Sequence, residues 1–217
     1  MIVAIDGPAG AGKSTVAAAL AKQLRFGFLD TGAMYRCVAL VALERFGERA
    51  VRPELGGAIA KLAGSLEIEL LPDFRVSVDG VDVTEKIRTS EISEMASTVA
   101  AIEGVRAALL LEQRSIISSG DWVVEGRDVG TNIAPDAEVK VFLDADPSVR
   151  AGRRASELSA DVAIVAAEQA LRDARDADRH HAPLKAAEDS TRIDTTRMTV
   201  EQVVEAIAAL VQARIRR

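Results

Sequence analysis

The sequence predicts an α/β protein: a doubly wound, parallel five-stranded sheet with helices on both faces, a small inserted antiparallel β subdomain and a helical lid. Three observations predict it. Short apolar runs ending in Asp, Glu or Gly alternate with segments of helical spacing, the pattern of strands buried on both faces and joined by crossover helices. The first of those runs opens directly into a glycine-rich turn, Gly7-Pro8-Ala9-Gly10-Ala11-Gly12-Lys13-Ser14. The alternation is broken in two places, once by a stretch of period two and once by a stretch rich in Arg and Ala.

Taken in order, Ile2 to Asp6 is the first strand, and the glycine-rich turn leads into a helix from Ser14 to Leu24. Phe26 to Asp30 is the second strand, followed by helical spacing from Met34 to Phe46. From about Leu66 to Ile87, the segments LEIEL, FRVSV and VDVTEKI alternate with period two around Asp79-Gly80, a dipeptide suited to a tight hairpin, so an antiparallel meander is expected there. Val105 to Ser118 carries apolar residues at Val105, Leu109 and Ile116 and reads as a crossover helix. Trp122 to Glu125 and Val139 to Asp144 are the next strands. Pro147 to Arg179 has helical spacing and gathers Arg150, Arg153, Arg154, Arg172, Arg175 and Arg179, which suits either a solvated hairpin of balanced charge or a lid. A last strand near Arg192 to Asp194 precedes a helix from Val200, where Thr199 and Gln202 form a capping box and Val203, Ile207, Leu210 and Val211 mark the buried face. The expected organisation is one domain over 1–217, with a core of 1–30, 102–146 and 180–217, an insert at 31–101 and a lid at 147–179.

At 217 residues the chain can bury a substantial core, and 48% hydrophobic with 28% charged residues is ordinary for a soluble globular protein. A net charge of -6 argues against a nucleic-acid polymer as partner. Cys37 is the single cysteine, so there is no intrachain disulfide and no multi-cysteine metal site, and it reads as a small buried hydrophobe on a helix. No basic leader precedes the first strand, and no apolar stretch reaches the roughly 18 residues of a membrane span. A cytoplasmic protein without a membrane partner is expected.

The glycine-rich turn has the pattern G-x-x-x-x-G-K-S between a strand and a helix, where a phosphate-binding loop stands. Its glycines let successive N–H groups turn inward on phosphate oxygens, and the helix dipole adds positive potential. Lys13 would reach the β and γ phosphates of ATP, and the Ser14 hydroxyl would ligate Mg²⁺. Gly7, Pro8, Ala9, Gly10, Ala11, Gly12, Lys13, Ser14 and Thr15 are therefore the candidate ATP-binding segment. In Asp30-Thr31-Gly32-Ala33-Met34-Tyr35-Arg36, Asp30 is a second Mg²⁺ candidate through its waters and Arg36 a candidate phosphate clamp, although the segment also reads as a strand-to-helix turn with a capping Thr. In Glu125-Gly126-Arg127-Asp128-Val129-Gly130-Thr131, Arg127 can fork onto a phosphate while Asp128 accepts from an exocyclic amine; a turn closed by a local Arg and Asp pair is the alternative. Arg172, Asp176 and Arg179, spaced by four and three, share one helix face and could meet one ligand. A hydrolase, motor, switch or kinase could use the loop alone. The Arg-rich hairpin favours small-molecule phosphoryl transfer, which needs cations for the charge spread over the phosphoryl oxygens and exclusion of water from the γ phosphate.

From end to end the chain resembles the bacterial cytidylate kinase family. IDGPAGAGKST, LDTGAMYR, VDVTEKIR, VEGRDVGT, APDAEVKVFLDA and RDADRHHAPL are similar to that family's blocks in order and spacing, and the insert around residues 62–101 resembles the one that sets bacterial CMP kinases apart from shorter nucleoside monophosphate kinases. Thr31 stands where the family often has Ser, which keeps the hydroxyl. The resemblance implies ATP-dependent phosphorylation of CMP and dCMP, an insert that binds the nucleoside monophosphate, and a monomer. It implies that Ser97, Arg106 and Asp128 contact the cytosine, that Arg172 and Asp176 hold the ribose, and that Arg36, Arg127 and Arg179 take the acceptor phosphate with Thr31 and Tyr35 nearby. Arg150, Arg153 and Arg154 would belong to the lid, with Lys13, Arg127, Arg150, Arg154 and Arg179 serving the transfer itself. His180 and His181 read as exposed polar residues. Two alternatives stay open from the residues: a kinase for another small acceptor such as UMP, shikimate or gluconate, and a nucleotide-binding regulator without turnover.

Overall fold

The computed structural model describes residues 1–178 and 182–216. The elements run β1 (Ile2–Asp6), α1 (Lys13–Leu24), β2 (Gly27–Asp30), α2 (Thr31–Phe46), α3 (Gly56–Ala63), β3 (Ile68–Leu71), β4 (Arg75–Val78), β5 (Val81–Asp82), α4 (Ser90–Val99), α5 (Glu103–Ile116), β6 (Trp122–Gly126), β7 (Val139–Asp144), α6 (Pro147–Leu158), α7 (Val162–Ala177), β8 (Thr191–Asp194) and α8 (Val200–Ile215). The large sheet is five-stranded and parallel, in the order β2-β6-β1-β7-β8, as the alternating pattern predicts. The strand that feeds the glycine-rich loop is central. Asp6 lies in register with Gly126 of β6 and Phe142 of β7, so the loop and the segment after β6 leave the same carboxyl edge, where open α/β sheets hold their ligands.

By their contacts the residues form two compact units, one of 1–29 with 119–217 and one of 30–118. In the first, α1 and α8 lay apolar faces over one side of the sheet. Val16, Leu20, Ile207 and Val211 meet Val3, Ile5, Val141 and Leu143 in a core where each is at most 2% exposed. Burying a side chain of this kind is worth roughly 1.5–3 kcal/mol, so this face alone outweighs any single polar contact in the unit. Thr199 and Gln202 close the predicted capping box at the start of α8. Among the described residues no helix is long and apolar enough to cross a membrane.

In the second unit α2 packs on α4, and α3 on α5. The antiparallel sheet β3-β4-β5 forms where period two predicts it, and Asp79 and Gly80 both take left-handed φ, 50° and 76°, in the connection from β4 to β5. Cys37 is fully buried on α2. Three local features depart from the expected boundaries. α2 begins at Thr31 instead of Met34, because Asp30 caps it by accepting from Ala33 N–H at 2.8 Å. α4 was not expected, although Ile92, Met95, Ala96 and Val99 repeat with helical spacing, all are buried, and Thr89 caps the first turn. The residues after Asp128 form a single π-helical turn, Val129–Ile133, closed by Ala134 N–H donating to the Val129 carbonyl at 2.8 Å.

Candidate active site

In the unit containing β1, Gly7 and Gly10 hold the loop in φ of 151° and 75°. A β-carbon on Gly7 would collide with the Leu143 carbonyl oxygen of β7, and one on Gly10 would stand 2.8 Å from the Arg150 carbonyl oxygen, so a side chain is excluded at both by backbone. Lys13, 5% exposed, crosses the loop and donates to the Pro8 carbonyl at 2.7 Å. Burial pushes its ammonium down to about 7; Arg127 and Arg172 act in the same sense, and Glu125 and Asp6 oppose them. Ser14 donates its hydroxyl hydrogen to Glu125 Oε1.

Arg127, at the end of β6, donates from Nε to Asp176 Oδ2 at 3.1 Å and from Nη1 to the Gly126 carbonyl at 3.2 Å. Asp176 on α7 is 1% exposed. Asp128, 4% exposed, accepts from Asn132 Nδ2 at 3.1 Å. The local Arg and Asp pair that the sequence allowed between neighbours is in fact a pair between β6 and α7. This brings together two candidates, Arg127 and Asp176, that lie 49 positions apart.

The predicted helical hairpin is present as α6 and α7, and its arginines divide. Arg150 is buried and donates to the carbonyls of Ala9 at 2.9 Å and Ala145 at 3.1 Å and to Asp173 at 2.5 Å, while Ala9 N–H donates to the other Asp173 oxygen at 3.3 Å. Arg150 and Asp173 therefore hold the two successive peptide groups that flank Ala9 in the loop. Arg153 donates to the Thr195 carbonyl at 2.7 Å, and Arg154 pairs with Glu157 one turn along its own helix at 2.9 Å. Arg179, with His180 and His181, lies outside the described residues. A cavity of about 550 Å³ lined by Asp146, Asp194, Thr196 and Arg197 opens past the ends of β7 and β8.

In the unit of 30–118, Asp30 accepts from Arg36 Nη2 at 2.7 Å as well as from Ala33 N–H, so both of its oxygens have partners there. The Arg106 guanidinium lies 5.7 Å from the Tyr35 ring centroid. Ser97 is 5% exposed and its hydroxyl oxygen has no hydrogen-bond partner among the described residues. Burial pushes the Cys37 thiol up to about 12, which makes it inert.

For Mg²⁺ the fitting donors are the Ser14 hydroxyl and the Glu125 carboxylate, hard oxygens already facing each other. Glu125 and Asp173 carried no assigned role in the sequence. Glu125 had a signal, a carboxylate ending a strand in a block already singled out; Asp173 had only its place beside Arg172 in the hairpin.

A parallel sheet whose central strand runs into a glycine-rich loop and a buried lysine, with an arginine-bearing hairpin after the fourth core strand, defines a P-loop kinase fold. The same fold is seen in the shikimate kinase from Acinetobacter baumannii in complex with shikimate, at a TM-score of 0.52 and 14% identity over 98% of this chain and 93% of that one. The chain belongs to the cytidylate kinase family, whose pattern it matches over residues 3–213. It is 46% identical over 216 residues to the cytidylate kinase of Pelotomaculum thermopropionicum, covering 97% of this chain and 96% of that protein. The cytidylate kinase of Solibacter usitatus is 44% identical over 222 residues, covering 99% and 94%.

Proposed function

We propose that this phosphotransferase moves the γ-phosphoryl group of ATP to CMP and dCMP, giving CDP and dCDP, in the cytoplasm and as a monomer. An oxygen of the acceptor 5′-phosphate bonds to the γ phosphorus as the bond to the β-γ bridging oxygen breaks, and ADP leaves. One observation carries the reading. The loop with Lys13 and the segment with Arg127 and Asp128 leave adjacent strands at one sheet edge, so donor and acceptor groups share a rigid base.

Lys13 neutralises the donor phosphates. Arg127, with Arg179 and Arg36, holds the acceptor phosphate and offsets the repulsion between two polyanions brought into line. Asp128 accepts from the cytosine 4-amine, where uracil would present a carbonyl, and Ser97 and Arg106 contact the same base. The buried, unpartnered Ser97 hydroxyl supports a ligand contact there. Arg172 and Asp176 hold the ribose, with Thr31 and Tyr35 close to the acceptor phosphate. Asp146, Asp194, Thr196 and Arg197 suit the donor base. Mg²⁺, when bound, offsets the charge of the phosphates; Ser14 and Glu125 would hold it, with Asp30 reaching its waters.

The resemblance to shikimate kinase is one of fold, and the family match over the chain favours CMP over other small acceptors. A coupled ATP-to-ADP assay with CMP, dCMP, UMP and shikimate tests the reading. We expect turnover on CMP and dCMP, with UMP lower in kcat/KM by about tenfold or more. Equal rates on CMP and UMP, or none on any nucleotide, would overturn it.

A further inference from the structure

Asp6 has no role above beyond its charge near Lys13. It ends β1, is 4% exposed, and its two oxygens accept from consecutive backbone amides, Oδ1 from Val129 N–H and Oδ2 from Gly130 N–H, each at 2.8 Å. Those amides open the π turn that directly follows Asp128, where the first N–H groups of any helical turn lack partners within it. A side-chain carboxylate from a neighbouring strand therefore supplies the cap that the turn cannot supply for itself. Among the described residues no cation forms an ion pair with Asp6: burial pushes its carboxyl up to about 6, Asp128 acts in the same sense, and Lys13 opposes them. A neutral residue would be easier to bury there. The charge is retained against that cost, and its hydrogen bonds go to the two amides after Asp128.

We propose that Asp6 is a positioning residue for acceptor recognition: through the Val129 and Gly130 amides it fixes the backbone that aims Asp128 and Arg127, tying the strand of the phosphate loop to the reading of the base. This rests on the assignment of Asp128 to the cytosine amine.

The test is Asp6→Asn, which keeps one acceptor and sets an amide NH₂ against the other N–H, compared with wild type, Asp128→Ala and the double variant. In folded Asp6→Asn the KM for CMP should rise about tenfold and the CMP to UMP ratio of kcat/KM should fall at least about fivefold, with the KM for ATP within about twofold. In the Asp128→Ala background Asp6→Asn should lower the ratio no further. Wild-type values for the CMP KM and the ratio, or an equal rise in the ATP KM, overturn the proposal. If Asp128→Ala alone leaves the ratio intact, the assignment of Asp128 fails instead, and Asp6 is judged by the CMP KM through Arg127. If Asp6→Asn does not fold, the wild-type ¹⁵N shifts of the Val129 and Gly130 amides decide. With Lys13 and Asp128 as the charged groups facing this site, and Lys140 laying only its methylenes beside Gly130 while its ammonium pairs with Asp189, the two should titrate together near pH 6, and flat shifts overturn the proposal.

Discussion

Arg127 and Asp176 hold each other: Nε donates to Oδ2 at 3.1 Å, and the carboxylate side chain is 2% exposed against 19% for the guanidinium. The group proposed for the acceptor phosphate is thus oriented by the group proposed for the ribose.

Removal of either partner leaves the other misdirected, so Arg127→Ala and Asp176→Ala should each raise the KM for CMP about tenfold, at roughly 1.5–3 kcal/mol for a charged hydrogen bond. The double variant should lose less than the product, with a coupling of about 0.5–3 kcal/mol. Initial rates at varied CMP measure this. Strictly multiplicative losses would mean that the two act independently.

Lys13 sits well below the ordinary lysine value of 10.5, at about 7. A triphosphate beside it favours the ammonium and raises that value, so binding of a non-hydrolysable ATP analogue between pH 7 and 8 should take up a fraction of a proton. Calorimetry in buffers of different ionisation enthalpy reads the uptake. Lys13→Ala should abolish it and lower kcat by about a hundredfold or more while leaving CMP affinity unchanged. Undiminished uptake in the variant would assign the proton elsewhere.

Arg150→Ala strips three hydrogen bonds from a buried guanidinium and leaves Asp173 without its cation. We expect a loss of about 3 kcal/mol in urea unfolding and a raised KM for ATP, since the Ala9 peptide is no longer gripped. A fall in kcat at unchanged stability would instead place Arg150 on the transferred phosphoryl group alone.

Asp6 makes a prediction of sign. Its folded value, about 6, lies above the ordinary aspartate value of 3.8, so its protonation stabilises the fold fully below pH 3.8 and that contribution, about 3 kcal/mol in all, is lost as pH rises through 6. Between pH 5 and 7.5 the wild type should lose about 1.5 kcal/mol relative to Asp6→Asn, read by urea unfolding at both values. Parallel pH curves for the two proteins would show Asp6 titrating as an ordinary carboxylate.

The sheet was legible because β1, β6 and β7 are apolar on both faces and interrupted by helical spacing, and the loop because its glycines and Lys13 follow a strand directly. What escaped were pairings that depend on distant segments meeting. Arg150 in the sequence is one arginine among several in the hairpin, and only the fold joins it to Ala9, 141 positions away. Asp30 was read as a Mg²⁺ candidate in a turn expected to be capped by a Thr, and the structure gives the capping of α2 to Asp30 itself. The π turn after Asp128 had no sequence signal, because its cap comes from β1 rather than from its own residues.

The sheet order also governs how the chain folds as it is made. The unit of 30–118 is contiguous and holds its own antiparallel sheet and helices, so it can close as soon as it emerges. β1 cannot: its partners β6 and β7 begin at residues 122 and 139, and α8, which covers α1, begins at 200. The glycine-rich loop is thus translated before the strands that must flank it. Its apolar strand must wait through more than a hundred residues of synthesis, and that interval of exposure is where a growing chain of this kind is open to chaperone capture or to misassembly.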